Sequence, residues 1–242
     1  MIKAGKPKIT KPIIEPLFYM LTGTSVLCTL LIVVRASQVD YIQYRFLLWN
    51  LFLAWLPLLV SMFAIMIARI GKGTGKAIIL TLCGVIWLLL YPNAPYLTTD
   101  FIHLILNPKY GMNHLDRLLL WYDLVMFFLF SWCGLLLGYL SMKDFHSLVW
   151  HYLNAWAGWV FIVIVSFLGG FGVYLGRVIR LNSWDVVFSP FRLIEGVLEG
   201  INAHAAIFTF LFGLLILIVY FSLYLLSGNG FSMAKNGSSA EN

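Results

Sequence analysis

Long apolar segments separated by short charged breaks dominate the pattern of hydrophobic and polar positions along this chain. A helix needs about 20 residues to cross a hydrocarbon core of about 30 Å. The spacing of the apolar segments predicts helices at residues 17–34, 46–68, 77–91, 118–141, 149–176 and 205–227. The segment from Ala205 to Leu226 is apolar on nearly every face, whereas a barrel strand would alternate apolar and polar positions. The pattern therefore predicts an all-α fold, a polytopic transmembrane helical bundle.

The composition agrees with lipid as the surrounding solvent. Of the 242 residues, 61% are hydrophobic and 11% are charged, whereas about a quarter of the residues of soluble domains are charged. The mean hydropathy is +0.90. We expect residues 1–16 to be a basic cytoplasmic N-terminus and residues 17–227 to be a single transmembrane domain. Residues 228–242, rich in Gly, Ser and Asn, are typical of a disordered tail.

Two predicted connections are long and contain apolar stretches. The first, residues 92–117, opens with Pro92 and Pro95, which we expect to end the third helix. The second, residues 177–204, contains Pro190 to Ile201, whose apolar and charged residues fall on opposite faces of a helix. That spacing predicts an amphipathic helix lying on the membrane.

Basic residues are spread unevenly over the predicted loops. The N-terminus, the 69–76 loop, the 142–148 loop and the C-terminal tail hold nine of the 16 Lys and Arg residues, and the opposite side holds seven. Because cytoplasmic loops are enriched in Lys and Arg, this pattern favours both termini in the cytoplasm. Anionic lipid headgroups are the expected partners. The pI of about 9.2 is explained by this anchoring and does not indicate nucleic-acid binding.

Polar side chains gather in three stretches that the predicted topology places at one side of the membrane, the outer one. Charges at membrane depth are costly, so they are usually paired or functional. The stretches are residues 91–103 with Asn93, Asp100 and His103, residues 121–123 with Asp123, and residues 176–185 with Arg177, Arg180, Asn182 and Asp185.

Two interpretations of these stretches stay open. In the first, Asp123, or the pair of Asp100 and His103, is catalytic and transfers protons or binds a divalent ion. Arg177 and Arg180, three positions apart on a helix, then form a clamp for phosphate or carboxylate. The remaining ligand-binding candidates in this interpretation are Asn93, Asn182 and Asp185. In the second, Asp100 or Asp123 pairs with Arg177 or Arg180 in an internal salt-bridge network that holds helices together.

Other motifs limit the chemistry. Cys28, Cys83 and Cys133 are isolated in apolar runs, so no metal site is predicted from them. No catalytic signature such as G-x-S-x-G or H-E-x-x-H occurs, and no cofactor is indicated. The patterns Gly134-x-x-x-Gly138 and Gly172-x-x-x-Gly176 predict close helix packing.

Three stretches together resemble a known membrane family: Pro-Asn-Ala-Pro-Tyr-Leu-Thr-Thr-Asp at 92–100, Trp-Tyr-Asp at 121–123 and Gly-Arg-Val-Ile-Arg-Leu-Asn-Ser-Trp-Asp at 176–185. They resemble the integral-membrane family catalogued as domain of unknown function 1361, from the second predicted helix into the loop after residue 185. The resemblance implies a multi-pass protein of the bacterial cytoplasmic membrane. It implies no activity, substrate or cofactor.

Three functions are therefore considered. The first is a membrane-embedded enzyme or binding protein for a lipid-linked, phosphorylated or otherwise anionic ligand at the outer side. The second is a small transporter or flippase, which needs polar residues that continue to the inner side, where His151 and Asn154 are the main candidates. The third is a structural or assembly partner whose polar network fixes helix packing.

Overall fold

The protein is a bundle of long apolar helices. The computed structural model describes residues 16–37, 44–70, 73–105, 114–181 and 189–227, and no β-strand occurs in these ranges. The elements in chain order are α1 (Pro16–Ala36), α2 (Phe46–Arg69), α3 (Thr74–Leu90), α4 (Asn93–Tyr96), a 3-10 helix (Leu97–Phe101), α5 (Ile102–Ile105), α6 (His114–Tyr152), α7 (Ala155–Tyr174), a π-helical turn (Leu175–Ile179), α8 (Pro190–Gly200) and α9 (Ala203–Leu226). Six helical segments in the described ranges are long and apolar enough to cross a membrane. The predicted all-α transmembrane fold is confirmed, and the protein is a multi-pass membrane protein.

The six segments alternate in direction and give the bundle two distinct ends. We call the end that contains Arg35, Asp100 and Arg177 the Asp100 end, and the end that contains Asp144 and His146 the His146 end. α1, α7 and the run from α3 to α5 finish at the Asp100 end, where α2, α6 and α9 begin. Because the number of spans is even, α1 begins and α9 finishes at the same end.

α6 is the central helix and is much longer than predicted. It runs without interruption for 39 residues and packs against α1, α2 and α7. The sequence predicted a loop at residues 142–148 and a new helix from residue 149, and both predictions are wrong. Lys143 and Asp144 suggested that the helix ends before them. A charged residue indicates where a helix leaves the apolar region, but it does not itself end the helix.

The two charges of this segment are accommodated within the helical structure. Asp144 Oδ2 accepts a hydrogen bond from the Ser61 hydroxyl of α2 at 2.8 Å, and the Lys143 ammonium lies 5.9 Å from the centre of the Tyr139 ring. The turn to α7 comes later, where the Asn154 side chain accepts a hydrogen bond from the Ala157 amide at 2.8 Å. This bond makes Asn154 the N-cap of α7, a role in which Asn is favoured.

The chain stays helical beyond α3, although two prolines follow it. Pro92 and Pro95 lack the amide proton that an α-helix needs at each position, and the hydrogen bonds tighten in response: the Ala94 amide donates to the Tyr91 carbonyl at 3.1 Å. Pro92 itself has helical angles, φ −58° and ψ −23°. The prolines therefore interrupt α3 without turning the chain out of the bundle, and residues 75–105 form one candidate span. The connection expected at 92–117 begins only after Ile105.

Glycines of α6 and α7 make room for this proline-containing segment. A Cβ atom on Gly134 would lie 2.5 Å from the Ala94 carbonyl oxygen, and one on Gly172 would lie 2.3 Å from Pro92 Cγ. These distances are far below van der Waals contact. The predicted packing role of the two small-residue patterns therefore agrees with the structure.

Of the last two helices, α9 attaches mainly to α7, and α8 attaches to the π-helical turn that follows α7. α9 packs along α7, where Gly170 approaches the Gly213 backbone so closely that a Cβ on Gly170 would lie 2.7 Å from the Gly213 nitrogen. The predicted amphipathic helix is present as α8, and its Gly196 lies against Leu181. Phe191 on α8 is 83% exposed. Its location at the membrane interface stays a prediction.

Gly134→Ala should destabilise the protein by about 1–3 kcal/mol, because the added methyl group meets backbone that cannot rotate away. Gly23→Ala is the matched control, since no heavy atom lies within 4 Å of its added Cβ and alanine favours helix by up to about 1 kcal/mol. The measurement is the temperature at which half of the detergent-solubilised protein stays monodisperse. Equal behaviour of the two variants would contradict the packing described here.

Candidate functional site

Asp100 lies at the centre of a buried polar network at the Asp100 end. Its side chain is fully buried and is held in the 3-10 helix that follows the two prolines. Asn50 Nδ2, from α2, donates to Asp100 Oδ2 at 2.9 Å. Arg177 Nη2, from the π-helical turn, donates to Asp100 Oδ1 at 3.1 Å. Both carboxylate oxygens are therefore engaged by other elements of the bundle.

Arg177 joins the end of α7 to the 3-10 segment by several contacts. Its Nη2 also donates to the Thr99 carbonyl at 2.6 Å, and its Nη1 donates to the Tyr96 hydroxyl at 3.2 Å. The guanidinium carbon lies 5.2 Å from the centre of the Tyr96 ring, within the range of a cation–π interaction. The Arg177 side chain is 19% exposed, and its partner Tyr96 is half-buried, so the network reaches the surface although Asp100 itself is fully buried.

A second buried ion pair joins α1 to α6. Arg35 Nε and Nη2 donate to the two Asp123 oxygens at 2.7 and 3.1 Å. This two-bond geometry is the one that suits a guanidinium and a carboxylate best. Both side chains are almost completely buried, and removing one partner of such a pair leaves an uncompensated charge.

The structure brings together only some of the predicted site residues. Asp100 and Arg177 meet, as one of the predicted pairings required. Asp123 pairs instead with Arg35, which the sequence did not suggest. His103 packs its ring 4.6 Å from that of Phe46, and no hydrogen bond to Asp100 is found in the described ranges.

The predicted arginine clamp does not form in the expected way. Arg180 is exposed and has φ 63° and ψ 37°, the left-handed conformation, so it leaves the helical face that Arg177 occupies. Asn93 donates to the Leu90 carbonyl at 2.9 Å. Asn182 and Asp185 lie outside the described residues.

Residues 49–219 match the model of a family described as "Protein of unknown function (DUF1361)". The chain belongs to this family. No curated protein and no solved structure matches it. In this DUF1361 protein the matched region contains Asn50, Asp100, Asp123 and Arg177, whereas Arg35 lies outside it.

Three residues of the network were missed by the sequence reasoning. Arg35 was counted only as a loop charge, and Asn50 and Tyr96 were not considered as partners. A signal for Arg35 exists: it lies at the end of the first predicted helix, at the membrane side where Asp123 is also predicted. The similar predicted depths of Arg35 and Asp123 in the membrane would therefore have suggested that they pair.

The DUF1361 protein also carries buried polar groups at the His146 end, although the sequence suggested that they concentrate at the other end. Asp144 bonds to Ser61, and His146 Nδ1 lies 2.6 Å from the Tyr220 hydroxyl. The two residues that the sequence suggested for a polar path at this end have other contacts. Asn154 is a helix cap, and the His151 ring lies 5.2 Å from the ring of Tyr152.

Asp123→Leu should lower the free energy of unfolding by about 3–5 kcal/mol, because it leaves the buried Arg35 guanidinium without its carboxylate. The double variant Arg35→Met with Asp123→Leu should recover most of that loss, since both charges are then removed. Thermal stability in detergent measures both. A double variant no more stable than Asp123→Leu alone would show that the pair does not behave as a unit.

Proposed function

We propose that this protein is a membrane-embedded binding protein whose ligand is an anionic headgroup, of a lipid or of a lipid-linked substrate, recognised at the Asp100 end. The charges of the described residues support this. Both acids of the network are buried and paired, so they add no negative potential at the surface. Their arginine partners are correspondingly neutralised.

The exposed charges at this end are mainly positive. Arg45, Arg117 and Arg180 are exposed, against Glu195 as the exposed acid among the described side chains of this end. None of the three arginine side chains makes a hydrogen bond or ion pair within the described ranges. Exposed arginines without acidic partners attract phosphate and carboxylate groups.

The conformation of Arg180 is the observation that carries the proposal. It is the one non-glycine residue with positive φ in the described ranges, and a left-handed residue other than glycine costs about 1 kcal/mol or more. It ends a π-helical turn, an element often found at functional sites. The backbone strain directs an exposed guanidinium outward, three residues after the anchored Arg177. A glycine would adopt this conformation at a lower energetic cost. The presence of arginine therefore indicates that its side chain has a functional role.

The geometry supports binding better than proton transfer. The two oxygens of Asp123 are held by Arg35, and those of Asp100 are held by Asn50 and Arg177. Neither carboxylate points toward a ligand in this arrangement. Catalytic roles for Asp100, Asp123 and His103 stay predictions.

The remaining alternatives rest on separate observations. The closed ion pairs favour a structural or assembly role, and the buried polar groups at the His146 end favour a small transporter. For localisation we propose the bacterial cytoplasmic membrane with both termini in the cytoplasm, which the lysines of the N-terminus support. The Asp100 end then faces away from the cytoplasm.

Arg180→Gly should change stability and binding in opposite directions. The substitution removes the strain of the left-handed backbone conformation, so the free energy of unfolding should stay constant or rise by about 1 kcal/mol. It also removes the guanidinium, so affinity for dioctanoyl phosphatidic acid should fall about tenfold, which corresponds to one lost charge-assisted hydrogen bond. Arg180→Gln should lose the same affinity without the gain in stability.

Arg69→Gln is the control, because it removes one exposed positive charge at the His146 end. Titrations with dioctanoyl phosphatidylcholine and with inorganic phosphate separate the possible ligands. Binding of phosphatidic acid alone identifies a lipid headgroup, and binding of inorganic phosphate identifies a free anion. Unchanged affinity in Arg180→Gly, or an equal loss in Arg69→Gln, would contradict the proposal.

A further inference from the structure

His146 occupies an aromatic cage at the His146 end, far from the proposed headgroup site. Its side chain is 2% exposed. The rings of Trp150, Trp159, Tyr220 and Tyr224 lie with their centres 4.9 to 5.9 Å from the imidazole centre. These rings come from α6, α7 and α9, so three helices meet around one histidine.

The two ring nitrogens of His146 have different surroundings. Nδ1 lies 2.6 Å from the Tyr220 hydroxyl, whereas Nε2 is buried and has no hydrogen-bond partner. The imidazole meets the Trp159 ring nearly edge-on, at 66°, a geometry that lets an N–H point at an aromatic face. We therefore expect the tautomer in which Nε2 carries the proton and Nδ1 accepts from the Tyr220 hydroxyl.

Tyr220 connects this histidine to a small cavity inside the bundle. The cavity leaves about 10 Å³ for the centre of a water molecule, which is about the least space that holds one. Tyr91, Tyr139 and Tyr220 contribute to its lining. Tyr91 is 2% exposed, and its hydroxyl makes no hydrogen bond in the described ranges. A hydroxyl without a protein partner beside a cavity favours a hydrogen-bonding molecule there.

We infer that His146 is a proton-binding site within the bundle, loaded from this cavity through the Tyr220 hydroxyl. A proton that reaches the Tyr220 oxygen allows the original hydroxyl proton to move to Nδ1. The phenol is restored, and the imidazole becomes an imidazolium with N–H groups at both nitrogens. No other bond changes, and the net gain is one positive charge.

The cage is built to accept that charge. Aromatic faces attract cations, and the attraction is stronger where water is excluded. The nearest charged residues on α6 are Lys143 and Asp144, and Asp144, two positions from His146, bonds to Ser61 of α2. Lys143 lies over Tyr139, and His151 lies further along the helix. From α7 and α9, the titratable groups that face the imidazole are Tyr220 and Tyr224.

The test is a titration of the full-length protein in nanodiscs with histidines labelled by nitrogen-15. The chain has five histidines, and His146→Asn identifies the signals of His146. At alkaline pH we expect one tautomer, with Nε2 protonated. Acidification should add the second N–H while the protein remains folded and monodisperse.

Two tyrosine variants separate the relay from the surrounding cage. Tyr220→Phe removes the hydroxyl that bonds to Nδ1, so the tautomer ratio should change and the titration midpoint should move by about one pH unit or more. Tyr224→Phe is the matched control, because its hydroxyl makes no hydrogen bond in the described ranges and lies one turn away on α9. It should leave both signals unchanged.

Two outcomes would overturn the inference. The first is a His146 that stays neutral throughout the pH range in which the wild-type protein is folded, a result that does not depend on any variant. The second is a Tyr220→Phe titration that matches the wild type. Neither outcome bears on the headgroup site, whose test uses Arg180.

Discussion

Lipid cannot solvate a charge, and the architecture of this protein depends on how its two buried acids at the Asp100 end meet that constraint. Each acid is paired with an arginine from a distant part of the chain: Asp123 with Arg35, 88 positions away, and Asp100 with Arg177, 77 positions away. The pairs tie α1 to α6 and the end of α7 to the 3-10 segment. Helix association in lipid lacks a hydrophobic driving force, so such directional contacts define which helices are neighbours.

The proline-containing segment is what places Asp100 within reach of its partners. The segment stays helical although its two prolines interrupt the regular α-helical hydrogen bonding, and the carbonyl groups freed in this way are used by other helices. Ser131 of α6 donates to the Leu97 carbonyl at 2.9 Å, and Arg177 donates to that of Thr99. Carbonyl groups that would be costly to expose to lipid thus accept hydrogen bonds from side chains inside the protein.

The sequence predicted the class of fold and most helix positions, because length and hydropathy define a membrane span directly. It failed where a charge was taken for a loop, at residues 142–148. It also placed Asp100 and Arg177 at one end, because both lie near the same end of predicted spans. It could not choose the partner of Asp123, since hydropathy gives the depth of a side chain but not its rotation about the helix axis. The cage around His146 was missed for the same reason: its aromatic residues resemble ordinary apolar positions.

The unbroken course of α6 has a mechanical consequence. Asp123 and His146 lie on this one helix, 23 residues apart, which is about 35 Å at a rise of about 1.5 Å per residue and close to the thickness of a hydrocarbon core. A single helix therefore carries an ion pair toward one end of the bundle and an imidazole toward the other. Any tilt or rotation of α6 displaces both groups at once, so the two ends of the bundle are mechanically coupled.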